Sequence, residues 1–223
     1  MKPAPVPANE AERLAGLVQL QVLDTASEEV FDLVTKVATI VMGTPIGLIS
    51  LIDADRQWFK SRIGLDASET PRELAFCAHA ILGTEPLVVS DSSTDPRFVD
   101  NPLATGAPHV RAYAGAPLID KDGHAFGTLC AIDHQPRTWT PTQIEKLKAL
   151  SRLVLLLLEQ RKSMLDLHSL AASVAELTQN LSTSQSLLEE VTELAQVGGF
   201  RHDLKSDLTT YTTHAWMMAA AID

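Results

Sequence analysis

All 12 prolines of this 223-residue chain lie at or before Pro141, and from Thr142 to Val197 there is neither proline nor glycine. Such a stretch contains no residue that breaks a helix from within. The chain therefore joins one long helix to a first part punctuated by turns. Over Leu167 to Ala195 the apolar residues recur at three-four spacing. Leu167, Val174, Leu181, Leu188 and Ala195 take one heptad position, and Leu170, Leu177, Ser184 and Val191 the other, which is a coiled-coil seam. Upstream, Leu147, Leu150, Val154 and Leu157 keep the spacing, but the phase slips by one residue between Arg161 and Asp166, so that half is expected to pack on the preceding domain. No other helix in the chain is available to receive the seam, which predicts a parallel homodimer through residues 167–195.

A formal net charge of -10 without any basic stripe argues against a nucleic-acid partner. Two cysteines make no disulfide framework and suit a reducing compartment. The N-terminus has three early prolines (Pro3, Pro5, Pro7) and no apolar run, so residues 1–8 read as disordered and not as a signal peptide. The strongly apolar run Leu153 to Leu158 is too short for a membrane segment. A cytoplasmic location is the expectation.

In the first part, Asn9 is placed to cap a helix through Leu23, and Ser27 to precede a second with the stripe Val30, Phe31, Val34, Val37, Ala38 and Val41, ending at Gly43. Ile46 to Asp53 reads as a central strand. Arg56 to Ile63 follows it, with Gln57, Phe59 and Ser61 alternating against Trp58, Lys60 and Arg62. Thr70, Pro71 and Glu73 form a capping-box pattern that predicts a short helix through Leu82. Its core face is Leu74, Cys77, Ala78 and Ile81, leaving Phe76, His79 and Ala80 available. Cys77 and His79, two residues apart, diverge by roughly 200° and make neither a metal pair nor a catalytic dyad. Cys77 reads as a buried small apolar residue, and His79 as either structural or pocket-lining. Pro86 to Ser90 is a short strand. Asp91 to Val110 is a long connection carrying Phe98, Val99, Leu103 and Val110, a packed loop that covers something. Arg111 to Asp120 and Ala125 to Asp133 form a second hairpin. The class is α+β, with an antiparallel sheet of about five or six strands, flanking helices and a long C-terminal helix.

That order of elements, with L-D-T at Leu23 to Thr25, D-R-Q-W-F-K-S at Asp55 to Ser61, E-T-P-R at Glu69 to Arg72, A-F-C-A-H-A-I-L at Ala75 to Leu82, D-P-R-F at Asp95 to Phe98, N-P-L at Asn101 to Leu103, Y-A-G-A-P-L at Tyr113 to Leu118 and G-T-L-C-A-I-D at Gly127 to Asp133, resembles a GAF domain over residues 9–160. The segment 161–196 then reads as a coiled-coil linker. Ala195 to Lys205 resembles the entry of a PAS domain, so residues 197–223 read as the truncated start of one. The resemblance is to bacterial sensors that precede histidine kinase or diguanylate cyclase outputs. It implies a regulatory module without catalytic or metal residues, which binds a small ligand between the sheet, the central helix and the long loop. The implied lining is Trp58, Phe76, His79, Asp91, Phe98, Arg111 and Tyr113, and Arg111 with the aromatics points to an anionic or aromatic ligand. The cofactor stays unknown. Ala78 separates Cys77 from His79, unlike the adjacent Cys-His that attaches a bilin, and the N-K-F-D-E signature of cyclic-nucleotide GAF domains is absent. Two alternatives are a redox enzyme on the same fold, such as a free methionine sulfoxide reductase, and a purely structural dimerisation module with a filled pocket.

Overall fold

Ile46–Ile52 (β1), a run of seven residues buried throughout, is a central strand of a six-stranded antiparallel sheet. Its companions are β2 (Arg56–Ile63), β3 (Glu69–Pro71), β4 (Leu87–Val89), β5 (Ala112–Ile119) and β6 (Ala125–Asp133), in the order β3-β2-β1-β6-β5-β4. β1 and β6 are covered on both faces, which is why they read as nearly continuous apolar runs without alternation. The computed structural model describes residues 2–194, 200–203 and 208–211. They fall into two units, divided between Met164 and Leu165.

One face of the sheet carries α1 (Glu10–Gln19), α2 (Glu29–Met42) and the first part of α5 (Pro141–Leu194). Phe31, Val34, Ala38 and Met42 of α2 and Leu147, Val154 and Leu158 of α5 close on Ile49, Leu51, Ala114, Leu129 and Ala131 of the sheet. The other face carries α3 (Phe76–Ala80) and the 91–110 connection, with its short helix α4 (Pro102–Thr105). As expected, that connection is packed. Phe98 is fully buried, and Asn101 caps α4 through Leu103 N while its amide donates to Leu74 O at 2.9 Å.

Several helix starts differ from the sequence reading. Asn9 precedes α1 without a side-chain capping bond, and the helix stops at Gln19, since Gln21 and Asp24 take positive φ values of 49° and 58°. The residue before α2 is Glu28 and not Ser27. Thr70 caps nothing. It sits in β3 opposite Gln57, and its hydroxyl accepts from Gln57 Nε2 at 3.3 Å. Pairing with the sheet edge outcompetes the capping box because Pro71, which lacks an N–H, is tolerated in an edge strand. Arg72 continues the lock, donating its backbone N–H to Asp55 O and its guanidinium to Glu10 and Asp53 O. The helix begins at Phe76, after a 3-10 turn over Arg72–Leu74. Gly43 ends α2 in the left-handed region at φ 65° as predicted.

The phase slip in α5 resolves into two stripes. Leu147, Val154 and Leu158 are fully buried against the sheet, whereas Leu153 and Leu156 are exposed. These two precede Leu167 and Leu170 by fourteen residues, so they lie in the heptad frame of the downstream seam. Beyond the helix, β7 (Phe200–Asp203) pairs antiparallel with β8 (Leu208–Tyr211). Of the stretch that resembles a PAS entry, residues 195–199 and 204–205 lie outside the described residues. Among those residues no helix is long and apolar enough to cross a membrane.

Candidate functional site

A bulge in β2 decides what each face of the sheet presents. Ile49 pairs with Ser61 and Ser50 with Phe59, leaving Lys60 as the extra residue. Lys60 and Ser61 therefore both reach the α2 side. Lys60 Nζ donates to Thr25 Oγ1, Ala26 O and Glu28 Oε1 at 2.9, 2.8 and 2.7 Å, and Ser61 Oγ to Asp32 Oδ1 at 2.6 Å. Simple alternation, which grouped Ser61 with Gln57 and Phe59, fails at that point. Gln57 and Phe59 alone face α3.

Between α3 and the sheet lies a cavity of about 400 Å³, within the range of small-molecule sites. Leu48, Phe59, Tyr113 and Ile132 form its sheet wall, Phe76 and Cys77 come from α3, and Leu103, Ala107, Pro108 and Val110 come from the long connection. The turn after β2, Gly64 to Ala67, closes the remaining side. Gln57 and Thr70 supply polar groups, and Asp66 is the one lining residue with a formal charge.

Polar groups also gather where α3 meets β6. Cys77 Sγ is 3.9 Å from Cys130 Sγ and accepts from Tyr113 Oη at 3.3 Å. The Tyr113 ring lies along its own strand over Gly115, where a Cβ would come within 2.0 Å of the phenol oxygen. Any larger residue there would displace it. Burial pushes the Cys77 thiol up, but the polar groups around it, Cys130, Thr128, Tyr113 and Ser50, outweigh it and leave its pKa below the ordinary thiol value. Cys130, bonded to Cys77 and equally buried, is pushed up. Ser50 Oγ, Thr128 Oγ1 and Gln57 Oε1 are buried without an ordinary hydrogen-bond partner, which marks this face as different from a plain core.

The structure disperses the residues expected to line the pocket. Phe76 and Tyr113 line the cavity. Phe98 lies behind them, stacked on Phe76 with centroids 3.9 Å apart, and His79 meets Phe98 edge-on at 5.0 Å. Phe76 and Ala80 are thus buried, not free. Burial and the Arg97 charge lower the pKa of His79, which favours neutral imidazole. Arg111 pairs with Asp91 at 3.0 Å and lines a separate recess with Ser92, Ser93, His109 and His134. Trp58 lies in the core on the opposite face, under α2. The period of β2 carried the signal that was missed: Trp58 excludes itself from the face of Gln57 and Phe59, and its aromatic character was the wrong guide. Cys77, read as filler, is buried as expected but also forms part of the wall.

Asp120, Asp122 and His124 bring ligand atoms within 4.8 Å of one another. The Asp120 carboxylate is already engaged by the backbone N–H groups of Asp122 and His124, as in an ordinary hairpin turn.

A second polar constellation ties the sheet to the exit helix. Glu28 Oε1 accepts from both Lys60 Nζ and Arg161 Nε, each at 2.7 Å, and Arg161 also donates to Gln21 O at 2.8 Å. Desolvation raises the Glu28 pKa, but the two cations outweigh it and lower it. Lys60 is the bulge residue next to Phe59, so one link runs from the cavity wall to α5.

The sheet order, the cavity and the long exit helix define a sensor-domain fold of the GAF type. The GAF domain model matches residues 26–158, and the chain belongs to that family. A cyclic di-GMP phosphodiesterase of Pseudomonas aeruginosa is 47% identical over 137 residues, covering 61% of this chain and 23% of the relative. The chain thus spans less than a quarter of that relative's length. Among solved structures, the GAF domain of an Acinetobacter phosphoenolpyruvate-protein phosphotransferase superposes with a TM-score of 0.52 at 15% identity, over 70% of this chain and 96% of that one. A domain of a two-component sensor histidine kinase protein from Sinorhizobium meliloti gives 0.51 at 16% identity, over 65% and 99%. A free methionine-R-sulfoxide reductase from Thermoplasma acidophilum gives 0.50 at 11%, over 59% and 92%. These likenesses are of fold.

Proposed function

We propose that this chain is a cytoplasmic sensor module that binds a small, uncharged or cationic, largely apolar molecule beneath α3 and passes the event to an output domain through α5. The observation that carries the reading is the cavity of about 400 Å³ whose wall residue Phe59 adjoins Lys60. The ligand class follows from the lining. Without Arg, Lys or His, and with Asp66 at the wall, an anion entering the cavity would lose its hydration with no compensating charge. This replaces the anionic ligand inferred from Arg111, which is engaged with Asp91.

A ligand that presses on β2 disturbs Lys60, hence Glu28 and Arg161, hence the start of the linker. Coupling of about 1–3 kcal/mol is enough for a useful switch. The 47% identity to part of a cyclic di-GMP phosphodiesterase supports a signalling output domain. We assign residues 9–160 to the GAF domain, 161–196 to a coiled-coil linker and 197–223 to the start of a PAS-like domain. The linker pairs in parallel with a second copy. Leu167, Leu170, Val174, Leu177 and Leu181 are all more than half exposed, and a matching helix is what would cover them.

Mass spectrometry of small molecules released on denaturation tests the ligand. A neutral or cationic compound recovered near stoichiometry, and lost in Phe59→Trp, which fills the cavity, is the expected result. Stoichiometric recovery of a phosphate or carboxylate compound would refute the ligand class. Replacing Leu177 and Leu181 by Lys should give monomers that keep the fold, and a wild-type chain that sediments as a monomer at micromolar concentration would exclude the dimer.

A further inference from the structure

We infer that Cys77 and Cys130 are a peroxide-reactive dithiol at the cavity wall that closes to an intramolecular disulfide. The two sulfurs come from different elements, α3 and β6, 53 residues apart in sequence, and stand 3.9 Å from each other. Both cysteines are free and buried, but Cys77 faces the cavity. A hydroperoxide small enough to enter reaches a wall that Cys77 helps to form, with the Cys130 sulfur 3.9 Å from that of Cys77. Three hydroxyls surround the first sulfur. Tyr113 donates to it at 3.3 Å, and Ser50 and Thr128 adjoin it with no ordinary partner of their own. A cysteine that only fills space needs none of them, whereas a thiolate accepts their hydrogen bonds and is stabilised by them.

The chemistry balances with a hydroperoxide as oxidant. The Cys77 thiolate attacks one peroxide oxygen, the O–O bond breaks, and the leaving oxygen takes a proton, leaving Cys77 as a sulfenic acid. The Cys130 sulfur then displaces that hydroxyl, forming the S–S bond and releasing water. Two thiols and one hydroperoxide yield one disulfide, one water and one alcohol, or two waters when the oxidant is hydrogen peroxide. A disulfide holds its sulfurs about 2.05 Å apart, so they must approach by roughly 2 Å. β6 is hydrogen-bonded to strands on both sides, and α3 is a helix of five residues, so α3 moves. Oxidation therefore reshapes the cavity roof.

The test uses the whole reduced chain, desalted and treated with hydrogen peroxide, then denatured and blocked with N-ethylmaleimide before peptide mapping. A Cys77–Cys130 cross-linked peptide, monomeric on a non-reducing gel and reversed by dithiothreitol, is expected. Tyr113→Phe should slow cross-linking by about three- to tenfold, the worth of one hydrogen bond. In Cys130→Ala, the Cys77 peptide should instead carry added oxygen. Two fully alkylated thiols after a treatment that oxidises a control cysteine peptide, or over-oxidised Cys77 without cross-link in the wild-type chain, overturns the assignment. Because the mapping is done on the wild-type chain, the outcome does not depend on whether a variant folds.

Discussion

The two faces of one sheet are built to different standards. Under α2 and α5 the strands contribute Ile49, Leu51, Ala114, Leu129 and Ala131 to a core closed by Phe31, Met42, Leu147 and Leu158, all fully or almost fully buried. Under α3 the same strands contribute Leu48, Ile132 and Phe59, but also Ser50, Thr128, Cys130 and Tyr113, beside a cavity of about 400 Å³. The first face meets helices of 10 and 14 residues and the base of a long one. The second meets a five-residue helix and a connection. Stability is thus concentrated on one side, which leaves the other free to hold unpartnered polar groups and open volume.

The comparison can be broken by unfolding measurements. The largest effect is expected on the closed face, where Phe31→Ala should cost about 3–5 kcal/mol in urea titration. Phe59→Ala should cost clearly less, because one side of its ring already meets open volume, and equal losses would erase the distinction. Lys60→Met removes a cation whose side chain is fully buried and leaves Glu28 to Arg161 alone. A loss of about 1–3 kcal/mol is expected, with altered proteolysis around Arg161 as the sign that the exit helix feels it.

A comparable effect with a pH signature belongs to Glu10. Burial raises its pKa, but bonds from Arg13 and Arg72 outweigh that and bring it from the ordinary 4.5 to about 2. A depressed carboxylate stabilises the fold fully above its unfolded pKa and loses that contribution as pH falls from about 4.5 through about 2. Glu10→Gln should therefore cost about 1–3 kcal/mol at neutral pH, with the gap to wild type closing near pH 2, and a gap independent of pH would refute the ion-pair account. The smallest effect, opposite in sign, is expected on the cavity face. Thr128→Val replaces an orphaned hydroxyl by a methyl of similar volume and should be neutral or stabilise by up to about 1 kcal/mol. A loss above that would mean that Thr128 is bonded after all.

The strand and helix inventory was legible in the sequence because it rests on local periodicity and punctuation. β1, β2, β5 and β6, the left-handed stop at Gly43 and the long helix after Pro141 fall where apolar spacing and glycine or proline place them. The family was legible too, from short motifs. What needed the tertiary structure were competitions among partners distant in sequence. Thr70 could cap a helix or pair with Gln57, and sheet pairing won. Ser61 could alternate with Phe59 or follow Lys60 across a bulge, and the contacts of Lys60 with Thr25, Ala26 and Glu28 accompany the second outcome. The cavity and the Cys77–Cys130 approach are decided the same way, because which side chains share a wall depends on how elements far apart in the chain come to rest on the sheet. Periodicity assigns a residue to a face, but only packing assigns that face a neighbour.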